Sequence, residues 1–151
     1  MFALAAAAFG REEEARLVDA IRASDRYVAE LSLVAVDSGE VVGHVMLSYV
    51  DLEGRDVLQL SPLSVVPARQ GEGIGSALSR KALRLADKRG EPLVVVLGHP
   101  TYYPRFGFRP ASSLGIEPPD PSMPGEAFMV VPLGAYEPTL RGRVTFPPAF
   151  G

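Results

Sequence analysis

The chain is 151 residues long, enough for one domain with a real core and too short for two comfortable ones. Hydrophobic residues make up 47% and charged residues 22%, with a net charge of −3, an ordinary globular balance that disfavours a general nucleic-acid binder. The absence of cysteine excludes disulfides, thiolate metal sites and a cysteine nucleophile and suits a cytoplasmic protein, while two histidines, His44 and His99, argue against a multi-histidine metal site.

No apolar run reaches the length of a membrane span. The opening Met1–Phe9 is apolar but lacks the positive start of a signal peptide, so it reads as the end of a first helix. Arg11–Ser24 reads as a helix, with Ala15, Leu17, Val18 and Ile21 at helical spacing. Leu31–Val36, Val41–Leu52 and Val57–Val66 read as strands joined by the turns Asp37–Gly39 and Glu53–Asp56, which predicts an antiparallel meander. Pro62 interrupts the third strand. Either the strand bulges or parts from a neighbour there, freeing backbone groups of Leu63, Ser64 and Val65, or the proline marks an edge or a strand end.

Gly71, Gly73 and Gly75 follow, and then an amphipathic helix to Arg89 with Gly90 as its cap. A strand, a glycine loop and a helix N-terminus can direct several N–H groups at one anion. The segment Arg69–Arg89 carries six Lys/Arg against two acids, whereas Glu12–Asp56 carries eleven acids against four Lys/Arg. The Walker loop's Gly-Lys-Ser/Thr is absent, and Ser76 stands where a dinucleotide fingerprint needs its last glycine. Leu93–Leu97 is apolar throughout, as in a central strand, and the crossover length makes it parallel to the third strand. Pro100 and Pro104 limit the next segment to a short helix, and Phe106–Phe108 leads into another strand. Ala111–Gly125 reads as a proline-rich loop and Ala127–Val131 as a last strand. Residues 1–133 form one expected domain, with 134–151 a tail packed on it or on a partner.

Gln70, Gly73 and Gly75 match the acetyl-CoA motif Q/R-x-x-G-x-G/A, and Tyr103 stands four residues before Gly107-Phe108, a second signature. On these residues and on element order, the chain resembles the Gcn5-related N-acetyltransferases (GNAT) over roughly residues 10 to 133. The resemblance implies an α/β (α+β) three-layer fold, with a mixed, mostly antiparallel sheet splayed at the acetyl-CoA strand. The family's first strand has no counterpart here, so the expectation is either a truncated chain or a sheet without that strand. The implied activity is acetyl transfer from acetyl-CoA to a primary amine of a small molecule or protein. The alternative is an acyl-CoA sensor or regulatory module that has lost the chemistry.

The resemblance places the pyrophosphate on Gln70, Gly71, Glu72, Gly73, Ile74, Gly75 and Ser76, and the pantetheine arm along Leu63, Ser64 and Val65. It makes the Val65 N–H the donor to the thioester carbonyl, worth roughly 3 kcal/mol in a transition state. It makes Tyr103 the general acid, with Tyr102 turned elsewhere. Glu30, His44, Asp51, Glu53 and His99 are considered as the base, and each reads better as an ordinary residue. No metal, nucleic-acid or membrane partner is implied. The exposed first sheet edge and the apolar tail make a homodimer the expectation.

Overall fold

The computed structural model describes residues 12–148, so the expected helical end at Met1–Phe9 lies outside the described residues. Helix α1 spans Glu12–Arg22. Strands β1 (Tyr27–Asp37), β2 (Glu40–Leu52) and β3 (Arg55–Val65) follow as the antiparallel meander that the short turns dictate. Helix α2 (Ile74–Lys88) crosses over to β4 (Leu93–Leu97). Three short elements, β5 (Arg109–Pro110), β6 (Ile116–Glu117) and β7 (Phe128–Pro132), precede β8 (Gly142–Thr145). The sheet order is β5-β7-β4-β3-β2-β8-β6, with β1 also paired to β2.

The two helices cover opposite faces of the sheet. Leu78, Ala82 and Ala86 of α2 pack on Val45, Leu47, Leu58, Val94 and Val96. Ala15, Val18 and Ile21 of α1 pack on Met46, which alternation turns to the other face. A third group around Val57, Val95, Phe128 and Val130 fills the rest of that second face. Gly43 sets how closely α2 approaches the sheet. A Cβ there would stand 2.8 Å from Ile74 Cγ2 and 3.0 Å from Leu78 Cδ1. The far end of α2 is tied down by charge. Arg89 contacts Glu30 at 3.1 Å and Glu91 at 3.3 Å, and the Tyr49 hydroxyl donates to Glu91 at 2.6 Å.

Three sequence expectations change. The first strand begins at Tyr27, four residues earlier than expected, because a register irregularity between Tyr27 and Ser32 breaks its alternation. The strand expected after Phe106–Phe108 shrinks to the two residues of β5. Residues after Pro132 supply β8, which inserts between β2 and β6 and buries Leu140 and Val144. Among the described residues no helix is long and apolar enough to cross a membrane.

The feature that positions the site lies at Pro62. Val45 faces Leu63 and Leu47 faces Leu60, so Ser61 and Pro62 together oppose Met46 as a bulge. The parallel pairing of β3 with β4 covers only Leu58–Val94 and Gln59–Val95. Beyond that point the strands part, β3 running on to Val65 and β4 to Leu97. The sheet is therefore an α+β, mixed and mostly antiparallel one, splayed between its parallel strands.

Candidate active site: a forked sheet between two hollows

The fork leaves one edge of β3 without a strand partner. The Val66 N–H donates to the Val42 carbonyl at 2.9 Å, and Ser64 lies opposite His44. Antiparallel alternation therefore directs the backbone groups of Ser64 and Val66 to β2, and those of Leu63 and Val65 to the open edge. The Val65 carbonyl is taken by the Gln70 side-chain amide at 3.0 Å. The N–H groups of Leu63 and Val65 remain directed into the fork. Ser64 is a correction. It lines the adjoining hollow, but its own N–H and carbonyl face β2.

That hollow, of about 440 Å³, runs from Leu63–Val65 over Gln70, Gly71, Gly73, Ile74, Gly75 and Ser76 to Tyr102 and Arg105. Gly71 and Gly73 have φ of +83° and +85°, a left-handed backbone that glycine adopts without strain. A Cβ on either would meet nothing within 4 Å, so both positions border open space. Gly73 caps α2, and among the described residues no side-chain cap hydrogen bond is made there. The first-turn N–H groups, and the helix dipole, stay available to an anion. The carboxylate within the loop, Glu72, is paired with Arg69 at 2.9 Å, and Arg69 also holds Asp37 at 2.8 Å. Gln70 turns its side chain back to β3, so only its backbone belongs to the cradle.

Two residues of this hollow were not read as binders from the sequence. The Tyr102 hydroxyl lies 3.3 Å from Ser76 Oγ, beside the helix N-terminus. The Arg105 guanidinium stacks 4.4 Å from the Tyr102 ring centroid, and its Nε donates to the Tyr102 carbonyl at 2.8 Å. Arg105 thus adds a fixed positive charge to a cradle otherwise made of backbone dipoles. A basic residue two positions after the tyrosine pair was the only sequence signal.

Tyr103 points the other way. It lines a second hollow, of about 370 Å³, with Leu17, Leu60, Ser61, Pro62, Leu63, Leu97, Gly98 and His99. Leu63 lines both hollows, so they meet at the fork. The Tyr103 ring is 9% exposed and packs edge-on against Tyr102, Phe106 and Phe108, with centroids 5.1, 6.4 and 5.6 Å away. Burial, followed by the nearby Tyr102, pushes its hydroxyl up to about 12. The phenol stays protonated throughout the neutral range. Gly98 makes its position possible, since a Cβ there would fall 2.4 Å from Tyr103 Cε2.

The residues considered as a base are otherwise engaged. Glu30 pairs with Arg89, Asp51 accepts the Gly54 N–H at 3.2 Å, and Glu53 accepts the Arg143 N–H at 2.9 Å. His44 is buried and lies 3.3 Å from Ser32 Oγ. Burial, with the Arg22 charge second, lowers its pKa to about 4. His99 alone of the five lines either hollow. Among the described residues, no group of three or more His, Cys, Asp or Glu is placed to hold a metal ion.

Comparison with known proteins agrees with this architecture. The model of the Acetyltransferase (GNAT) family matches residues 1–108. The uncharacterized N-acetyltransferase YjhQ of Escherichia coli is 37% identical over 145 residues, covering 91% of this chain and 80% of that protein. The uncharacterized N-acetyltransferase YhbS of the same organism is 37% identical over 113 residues, covering 73% of this chain and 66% of that protein. The crystal structure of YhbS from Escherichia coli in complex with CoA superposes with a TM-score of 0.90 at 32% identity, covering 99% of this chain and 83% of that one. A GNAT family acetyltransferase from Brucella melitensis in complex with acetyl-CoA superposes with a TM-score of 0.80 at 34% identity, covering 99% and 88%. The chain belongs to the GNAT family of N-acetyltransferases.

Proposed function

We propose that this chain transfers an acetyl group from acetyl-CoA to a primary amine by direct attack. The observation that carries the reading is the fork. A glycine cradle and a free strand edge stand on one side of it, and a buried, protonated tyrosine on the other. Solved relatives support the choice of donor, since two structural neighbours were crystallised with CoA and acetyl-CoA.

The N–H groups from Gly71 to Ser76, with the dipole of α2, bind the pyrophosphate, and Arg105 offsets its charge. The N–H of Leu63 bonds the pantetheine arm as an added strand would. The N–H of Val65 polarises the thioester carbonyl and stabilises its developing negative charge. The amine enters from the Tyr103 side, as the free base. Its nitrogen attacks the carbonyl carbon, the C–N bond forms, and the C–S bond breaks. Tyr103 donates its proton to the departing thiolate, and the proton lost from nitrogen on amide formation returns through water to the tyrosinate, so no net proton is released. No side chain is assigned as base, and among the described residues His99 is the only imidazole beside the path.

Two measurements test this reading. Acetyl-CoA should raise the melting temperature more than ADP does. Tyr103→Phe should lower kcat by about 10²–10⁴-fold, the usual worth of a positioned acid, with acetyl-CoA affinity retained. Acetyl-CoA binding without turnover on any amine would favour a sensor over an enzyme.

A further inference from the structure

Beside the second hollow, across Leu97, lies another. In β4, Val94 and Val96 face α2, so alternation turns Val95 and Leu97 to the opposite face. Leu97 is the Cα partner of Phe128, which belongs to the same opposite face. Phe128 in turn lines a further hollow of about 310 Å³, walled by Ile116, Pro118, Pro121 and Met123. Leu97 lines the Tyr103 hollow and its cross-strand partner Phe128 lines this one, so the two hollows flank one cross-strand pair. Leu97 is 41% exposed and keeps apolar surface open on the Tyr103 side of that pair, while Phe128 is buried beneath the other hollow.

The charge along this path is as informative as its shape. Among the described residues lining the two hollows, the one carboxylate is Glu117, and it is paired with Arg143 at 3.2 Å. Arg143 is further engaged by donating to the Pro118 carbonyl at 2.7 Å. A second ammonium group on an acceptor would meet no free carboxylate there, whereas a hydrocarbon chain would meet Leu97, Met123 and proline rings.

Resting on the acetyltransferase reading above, we infer that the Phe128–Met123 hollow is an acceptor subsite. The chain's substrate class is then a primary amine on an extended apolar body, its nitrogen at Tyr103 and its hydrocarbon end over Met123 and the proline rings.

The test is kcat/KM at saturating acetyl-CoA for straight-chain primary amines from butylamine to decylamine, with spermidine as a polycation of comparable length. Efficiency should climb by roughly threefold to fourfold per added methylene until the groove is filled, following the free energy of burying a CH₂. Spermidine should be the poorest of the long amines. Met123→Asp should lower the decylamine-to-butylamine ratio by tenfold or more, and Met123→Ser by a smaller factor in the same direction. A flat length series, a preference for spermidine, or an unchanged ratio in both variants would overturn the inference while leaving acetyl transfer intact. Acetyl-CoA binding with no amine in the series acetylated would also overturn it. Failure of acetyl-CoA to bind at all would instead remove the reading on which it rests.

Discussion

Replacing Gly98 with alanine adds one methyl group at the turn that follows β4, and the structure says where it goes. The new Cβ would lie 2.4 Å from Tyr103 Cε2 and 3.0 Å from Cδ2. Ordinary contact begins near 3.4 Å, so one of the two partners must move by about 1 Å. The ring has little room to yield, because Tyr102, Phe106 and Phe108 hold it on its other sides. The backbone is restrained too, since the Gly98 N–H donates to the Ala127 carbonyl at 2.9 Å. The φ of Gly98 lies outside the left-handed region, so the whole effect is steric. Overpacking of this kind costs about 1–3 kcal/mol, and a chain of this length loses about 2–4 °C of Tm per kcal/mol. A 1 Å displacement of a reacting group costs about 10² in rate. Gly98→Ala should therefore lower Tm by a few degrees and kcat by about a hundredfold, with KM for acetyl-CoA little changed. Thiol release at saturating acetyl-CoA gives the rate. Gly125→Ala is the control for the thermal shift, since a Cβ there meets nothing within 4 Å. A Gly98→Ala protein with reduced Tm and undiminished kcat would refute the reasoning, because Tyr103 would then have moved without consequence.

Three further outcomes are expected. His44 is neutral when folded and can take a proton when unfolded, so stability should be unaffected above pH 6.5 and should fall as pH drops toward 4. The full loss is roughly 3 kcal/mol, from a lowering of 6.5 to about 4, and His44→Leu should abolish this slope in urea unfolding at stepped pH. Gly43→Val should lift the first turn of α2 from β2, because Ile74 and Leu78 already sit within 3.0 Å of the added position, and calorimetry should show acetyl-CoA affinity weakened by about tenfold. Arg105→Ala should weaken acetyl-CoA binding several-fold at low salt and by less at high salt, since the lost interaction is a partly screened charge. An effect independent of salt would place Arg105 outside the phosphate site.

What could be read from the residues alone was local. Three glycines at alternate positions, an amphipathic stripe after them and a proline in the strand before them fix a loop, a helix and a bulge from short-range chemistry. Pro62 could have marked a strand end, and only the register decides that it opens a fork. What could not be read depends on distant pairs. Gly43 and Gly98 carry no turn signature, and their meaning lies in Ile74, Leu78 and Tyr103. The roles of the adjacent tyrosines separate only because the turn of Tyr103–Phe106 sends one ring to each hollow. The insertion of β8 beside β2 joins residues about 90 positions apart, as in Asp51–Thr145. No periodicity in a four-residue strand announces such a partner.

The central claim is that the two hollows are the donor and acceptor halves of one reaction. The most direct measurement follows thiol release and acetylated amine in the same sample, with acetyl-CoA and a primary amine such as octylamine. Both products should accumulate in equal amounts, neither should form without the amine, and Tyr103→Phe should slow both alike. Thiol release without acetylated amine, or acetyl-CoA bound and left unconsumed, would contradict that claim.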